Sequence, residues 1–338
     1  MSSIQYEVYE SINNIKKNEW DNVVENSKIS SFFHCYDWQK VLEEGKRLEP
    51  RHIVAINNDN IISIFPNYVT SVKDTPFKRL YSICPGYGGP IILSSDERDI
   101  LDGMYKMVPG ICRGNIFSHY VNPYDLSYAR YGSFLRKNDY IPHFACRFVI
   151  DLNENIEDIS NNMIHQKRRN IKKCESIEVI DKEIDKNSLS DFHIHHNNVM
   201  KDVGGQGHPE AFFTSMHKHI PENVKIFEAV CNGVPSGQIM FFLDPYKNTV
   251  HKFFSGIERK YLKANPTDII VWQSLNWAKE NGFRYYDFGP TEDDFCNGIF
   301  RHKSGFGGQT IPIIMWEKVF SRARWKIVEV LRKMYRKL

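Results

Sequence analysis

The run from Asn265 to Gly308 restricts the fold of this chain more than any other stretch. Asn265-Pro266 reads as an N-cap followed by proline at the first helical position. From about Thr267 to Glu280, the residues Ile269, Trp272, Leu275 and Ala278 fall on or near one face, which predicts a helix. Asn281-Gly282 supplies its C-cap, and Arg284–Gly289 follows at once as a short strand. Strand alternation puts Tyr285, Asp287 and Gly289 on one face and Tyr286 and Phe288 on the other. Lys303 is then expected at the lip of a glycine-rich turn, where Gly305, Gly307 and Gly308 allow positive φ and close approach of a ligand. A strand end followed by such a turn is either a site or a plain structural corner, and these residues alone leave both open.

Before this run the pattern is mixed. Helices are expected at Asn18–Glu25, Cys35–Glu44 and Asp96–Met107, and a hairpin at His52–Ile56 and Ile61–Val69 around Asn57-Asn58-Asp59-Asn60. Arg79–Cys84, Asn115–Val121 and Tyr140–Ile150 read as further strands, the first ending at Pro85-Gly86-Tyr87-Gly88-Gly89-Pro90. In the second half, Ile156–Glu175 reads as one basic helix, followed by a strand at Ile177–Ile180 and helices at Ser188–Met200 and Pro209–His219. Strands at Lys225–Cys231, Pro235–Leu243 and Thr249–Ser255 precede the Asn265 helix, and Ile311–Trp316 is the last strand. This is an α/β (α+β) pattern, and 338 residues suit two domains of about 150 residues each. We place them at 1–155 and 156–318, with a basic amphipathic helix over 319–338.

Composition excludes several classes. A hydrophobic content of 41% and net charge of +3 argue for a packed globular protein rather than a disordered or strongly polyanion-binding one. The 7 cysteines stand singly with no CxxC pair, so reduced thiols in a cytoplasmic protein are expected, and neither a disulfide framework nor a metal site. Met1–Asn14 lacks the apolar core of a signal peptide, and no window approaches the roughly 20 apolar residues of a spanning helix. Contact with a membrane would be peripheral.

Three further stretches could carry chemistry. Lys167, Arg168, Arg169, Lys172 and Lys173 form a dense basic row in which Arg168 shares a helical face with Lys172, and Arg169 with Lys173. Such a row binds phosphates or is simply a solvated face. His193, His195 and His196 stand before the loop Gly204–Pro209, which holds His208, and they lack a convincing fourth metal ligand. The tail carries Arg322, Arg324, Lys326, Arg332, Lys333, Arg336 and Lys337 against Glu329, with an apolar stripe of Trp325, Val328, Leu331, Tyr335 and Leu338. It either docks on the body or lies on an anionic membrane surface through residues 320–338.

The order Asn-Pro, helix, Asn-Gly, Tyr285-Tyr286-Asp287-Phe288-Gly289, then Gly298-Ile299-Phe300-Arg301-His302-Lys303-Ser304-Gly305-Phe306-Gly307-Gly308, resembles the C-terminal half of the FemABX-like transferases. Pro85–Pro90 and the Lys167–Lys173 string resemble segments of the same family; its usual pattern has phenylalanine where His302 stands here. The resemblance implies two tandem GNAT-like acyltransferase domains, each a mixed, mostly antiparallel sheet flanked by helices. It implies transfer of an amino acid from aminoacyl-tRNA to an amine of a peptidoglycan-like cell-wall precursor, which is lipid-linked in one version of the expectation. Lys303 would be catalytic, steadying the tetrahedral oxyanion with help from N–H groups of the glycine turn; Asp287 or substrate carboxylates would accept the amine proton, the alternative for Asp287 being a satisfied strand-end residue. Arg168, Arg169, Tyr286, Gly289, His208, Gly305, Phe306 and Gly307 would bind substrate. No cofactor is expected beyond the aminoacyl-tRNA donor. The alternative is a GNAT-type N-acyltransferase using acyl-CoA or acyl-carrier protein on an amino sugar or polysaccharide precursor. Against a CoA site, the turn Glu258–Pro266 has no glycine, and Pro266 removes an N–H from the phosphate-binding position.

Overall fold

The computed structural model describes residues 4–72, 75–174 and 177–335, without the side chains of the last four. Contacts divide the chain into two units, Met1–Glu43 with Arg47–Phe144 and Ile313–Leu338, and Glu44–Lys46 with Ala145–Pro312. The sequence limit at 155/156 falls at the start of a helix and that at 318/319 at the last residue of the strand Gln309–Val319, whereas this division falls well inside two strands, at 144/145 and 312/313. Strand pairing explains the difference, because residues group with the strand they hydrogen-bond to rather than with the nearest loop.

In the first unit the elements are β1 (Gln5–Tyr9), α1 (Lys17–Glu25), α2 (Tyr36–Lys40), β2 (Glu49–Pro50), β3 (His52–Asn57), β4 (Asn60–Phe65), β5 (Tyr68–Ser71), β6 (Lys78–Tyr81), β7 (Ile91–Ile92), α3 (Glu97–Ile111), β8 (Ile116–Val121) and α4 (Gly132–Lys137). Strands β1-β3-β4-β7 form one sheet, and β8-β6-β5-β2 lie in order in another. The expected hairpin is present: Asn58 and Asp59 take φ of 49° and 61°, the left-handed values that let a two-residue turn match strand twist. Its second strand is shorter than expected and gives way to β5 after Asn67, whose side chain is buried and bonded to the Phe65 carbonyl. Pro85–Pro90 is a tight turn: a Cβ on Gly88 would lie 2.2 Å from the Ser82 carbonyl oxygen.

β9 (Ile141–Asp151) leads to the second unit, which holds α5 (Ile156–Asn162), α6 (His165–Lys173), β10 (Glu178–Lys182), α7 (Lys186–Asp202), α8 (Glu210–His219), β11 (Val224–Cys231), β12 (Val234–Asp244), β13 (Thr249–Gly256), α9 (Pro266–Glu280), β14 (Tyr285–Thr291) and α10 (Gly298–Ser304). The strand order is β10-β11-β12-β13-β14-β9, antiparallel except for β13 with β14. Phe227, Phe241, Val250, Tyr286 and Phe288 of the sheet pack with Ile270, Val271 and Leu275 of α9 in one core, each large side chain contributing about 1.5–3 kcal/mol of burial. The single helix expected over Ile156–Glu175 is two, broken where Met163 and Ile164 take extended backbone (ψ 147° and 149°). Glu175 lies outside the described residues.

β15 (Gln309–Val319) follows, and its Trp316–Val319 end pairs with β8. α11 (Arg322–Tyr335) ends the described chain and belongs to the first unit, where Val328 is buried and Trp325 packs 6.2 Å from Phe117. Trp325 and Val328 of the stripe therefore dock, while Ile327 and Val330 of the same helix are exposed. Arg336, Lys337 and Leu338 lie outside the described residues. Among the described residues no helix is long and apolar enough to cross a membrane.

Candidate active site

The parallel pairing of β13 with β14 covers only Thr249–Tyr285, Val250–Tyr286 and His251–Asp287. Beyond that point β13 keeps its partner β12, and β14 keeps β9 after an irregularity between Asp287 and Pro290. Two neighbouring strands that stop pairing leave a gap between them. Gly289, at φ 71°, stands at its start, and a Cβ there would lie 3.3 Å from the Lys252 carbonyl oxygen and 3.9 Å from Lys303 Nζ.

Lys303 is not inside a turn, as the sequence suggested. It occupies the last turn of α10, a helix started by Asn297, whose side chain accepts from the Ile299 and Phe300 N–H groups. Its Nζ donates to the carbonyls of Gly289 (3.1 Å) and Pro290 (2.8 Å). An ammonium has three donors, so one remains for a ligand among the described residues. Burial pulls the Lys303 pKa down to about 8, with Asp287 partly offsetting it, so the group is mainly charged at neutral pH.

Asp287 lies directly across from His251 and is fully buried. Its carboxylate pairs with Arg147 at 2.5 Å and His251 at 3.5 Å, and accepts the Gly289 N–H at 2.8 Å. Burial alone would raise its pKa, but Arg147 and then His251 hold it well below the usual carboxylate range. A carboxylate so strongly acidified is a poor proton acceptor, which corrects the role expected for it. It fixes the turn at Gly289 on which Lys303 is anchored. His251 in turn is charged more readily than usual: burial opposes this, and Asp244 and Asp287 on either side outweigh it.

The glycine turn is also corrected. The N–H groups of Gly305, Phe306 and Gly307 bond to the carbonyls of Arg301, Lys303 and Ser304, so they do not form an oxyanion hole. Close approach is used, but by the protein's own chain. A Cβ on Gly307 (φ 81°) would lie 2.5 Å from the Asn162 carbonyl oxygen, and one on Gly308 3.1 Å from the Val149 backbone. The turn thus sits over the break between α5 and α6, where the Ile164 N–H donates to the Gly305 carbonyl at 3.0 Å. Phe306 is buried and stacked on Phe288 at 5.1 Å, and Tyr286 is buried with its hydroxyl 2.9 Å from Ser274 Oγ. Both are core residues rather than substrate contacts.

That seating delivers Lys167, which the sequence reading left in the basic row without a role. Lys167 Nζ donates to Asp268 (2.6 Å) and to His302 Nδ1 (2.9 Å), and lies 4.4 Å from the centre of the Phe306 ring. A signal existed: Lys167 is four residues before Ile171, so it shares the inward face of α6. Burial, then Lys167, Lys252 and Lys303, pulls the His302 pKa down to about 3. His302 is therefore neutral, accepts at Nδ1 and packs edge-on to Phe306 at 5.5 Å. An aromatic ring is retained at the position where the resembling family has phenylalanine, with one hydrogen-bond acceptor added.

Arg168 turns away from this cluster. Its guanidinium donates to the carbonyls of Ser160, Asn161 and Met163 and so closes the C-terminus of α5. Arg169, Lys172 and Lys173 are exposed. His208 lies elsewhere. A bulge in β13 at Phe253 sets Lys252 opposite Phe241 but Phe254 opposite Met240, which places Phe254 on the other face of the sheet. His208 packs there, 5.3 Å from Phe254 and 5.7 Å from His196, with its backbone bonded to Asn197. His195 pairs with Glu258 and His196 bonds the Ser255 carbonyl, so the histidines are divided among separate partners.

A splayed parallel strand pair with a cation at its mouth, on a mixed sheet flanked by helices, is the arrangement of a GNAT-type acyltransferase. Residues 161–303 match the family model described as an acetyltransferase (GNAT) domain. No curated protein matches the chain. Among solved structures it is similar to one titled FemX (11% identity, 93% of this chain and 98% of that one, TM-score 0.67). It is also similar to a tandem GNAT protein from the clavulanic acid biosynthesis pathway (8%, 94% and 99%, TM-score 0.60) and to L-PGS from Bacillus licheniformis (10%, 94% and 96%, TM-score 0.57). The fold is that of tandem GNAT proteins, and the chain is an acyltransferase.

Proposed function

We propose that this enzyme moves an aminoacyl group from an aminoacyl-tRNA ester to an amine of a cell-wall precursor or a similar envelope acceptor. The observation that carries the reading is Lys303, held by two backbone carbonyls beside the strand gap with one N–H left over. An aminoacyl ester is already activated, so the protein has mainly to align amine and carbonyl and to steady the oxyanion. A single oriented ammonium suits that task. The resemblance of Asn265–Gly308 to the FemABX-like transferases supports the donor, and so does the likeness in fold to the structure titled FemX. Neighbours titled L-PGS and putative lysylphosphatidylglycerol synthetase favour an acceptor at the membrane. The exposed Arg322, Lys326, Ile327 and Val330 of α11 suit peripheral contact with an anionic surface there, on the cytoplasmic side.

The second reading, N-acylation from acyl-CoA or acyl-carrier protein, draws on the acetyltransferase description of the matched domain. Against it, the segment before α9 is a short 3-10 helix, Arg259–Ala264, ending in Asn265 at φ 54° and Pro266, not a glycine turn presenting N–H groups. The deciding experiment offers the enzyme a mixed pool of charged tRNAs with labelled amino acids and a set of envelope precursors. Label is expected in an amide product. No transfer from any charged tRNA, together with a rise in melting temperature on adding CoA, overturns the first reading in favour of the second.

A further inference from the structure

The three lysines around the strand gap are satisfied to different degrees. Lys167 directs its ammonium at Asp268, His302 and the Phe306 ring, and Lys303 uses two of three donors. The Lys252 side chain makes no hydrogen bond or ion pair among the described residues, although it is the first residue of β13 beyond the last β13–β14 pair. Alternation places it on the face of Val250, opposite Phe241, which is the core face of the sheet. Lys252 is half-buried, so its ammonium reaches the core face without a carboxylate to answer it, and such mismatches concentrate at functional sites.

We propose that Lys252 is the proton-transfer residue of the reaction, acting as a base toward the attacking amine and as an acid toward the departing oxygen. This rests on the acyl-transfer reading of the same gap. The cations around it disfavour an acceptor in its ammonium form, so the acceptor enters as a free amine. Its nitrogen forms a bond to the acyl carbon, and the carbonyl oxygen becomes an oxyanion facing Lys303. Lys252 Nζ takes one proton from the new N–C centre. The C–O bond of the ester then breaks, and the same proton passes to the leaving oxygen, which returns Lys252 to its neutral amine.

The groups around Lys252 favour that neutral form. The charges of Lys303 on α10 and Lys167 on α6 act on it, it acts in turn on His302, and the acids of this cluster are engaged, Asp268 of α9 by Lys167 and Asn170 and Asp287 of β14 by Arg147 and His251. Burial, then Lys303 and Lys167, brings the Lys252 pKa down to about 7. Lys303, which must stay charged, keeps the higher value of the two.

The test pairs a titration with kinetics. Competitive amine labelling of the whole folded chain across pH is expected to find Lys252 half-deprotonated near pH 7, and a value near 10 overturns the proposal. In the transfer assay, Lys252→Arg keeps the charge but cannot act as a base; turnover is expected to fall by about 10²–10⁴-fold with little change in KM. Small primary amines should restore Lys252→Ala. Wild-type turnover in Lys252→Arg would mean that Lys252 only binds an anion, and would also overturn the proposal. If Lys252 titrates near 7 but no charged tRNA is a donor, the donor reading fails while the base stands, to be followed with acyl-CoA.

Discussion

Each unit contains a parallel strand pair, and the two pairs end differently. In the first unit β6 and β8 remain joined to Tyr81–Tyr120, and the Ser82 N–H then bonds to the Tyr120 carbonyl and the Gly88 N–H to that of Asn122. The Tyr81 and Tyr120 rings stack at 4.8 Å, and the nearby Arg79 is neutralised by Glu317 at 3.1 Å. In the second unit the pair opens after His251–Asp287, and the lysines at its mouth outnumber the acids that answer them. A parallel pair that is closed by rings and a matched charge is architecture. One that opens onto uncompensated charge is where the proposed reaction is placed.

That contrast can be broken at several points. Removing one partner of a buried pair leaves a charge uncompensated, so Arg79→Ala in the first unit and Asp287→Asn in the second should each cost roughly 3–5 kcal/mol in urea unfolding. Their equality would say that both pairs are structural; a large loss of turnover at wild-type stability in Asp287→Asn would return that carboxylate to the chemistry. Lys303→Ala removes a partly buried charge and so should not destabilise the fold, but should lower turnover by roughly 10²–10³-fold, the cost of losing one oxyanion stabiliser. Full turnover in that variant removes Lys303 from the mechanism.

Stability should also depend on pH through the second unit. The pKa values of Lys252 and Lys303, about 7 and about 8 in the folded state, lie below the ordinary 10.5. Below pH 7 both are charged whether the chain is folded or not, and the burial cost is fully present. From about pH 7 to 10 the unfolded chain holds more protons, so this contribution makes stability rise with pH. Lys252→Met should flatten the lower part of that rise, as measured by urea unfolding at successive pH values. The smallest effect is expected from Arg168→Ala, which uncaps α5 at a cost of about 1 kcal/mol and leaves KM unchanged. A large rise in KM there would restore Arg168 to substrate binding.

Much of this was legible along the chain. The Asn265–Gly289 helix and strand are present nearly at their expected limits because Pro266, Gly282 and periodicity are local signals, although Asn265 is left-handed (φ 54°) and its side chain makes no capping bond. Lys303 was also visible, as a cation near a strand end and a glycine turn. The misread residues share a cause. Tyr286, Phe306 and Asp287 were read by residue type, yet each is saturated by a group on another element, Ser274, Phe288 and Arg147, and Arg168 is taken up by the carbonyls that end the preceding helix α5. The break that splits Ile156–Glu175 lacks a proline or glycine to announce it.

The sequence by itself determined the element order, the two-domain scale and the position of one cation, since these follow from short-range rules of capping, alternation and turn geometry. Tertiary structure decided which glycines admit a ligand, which charges are neutralised and which amine is left without a partner. Those properties depend on burial and on neighbours that can lie a hundred residues or more away. Lys167 and Lys252 look alike in the sequence, but Asp268 answers one of them and nothing among the described residues answers the other.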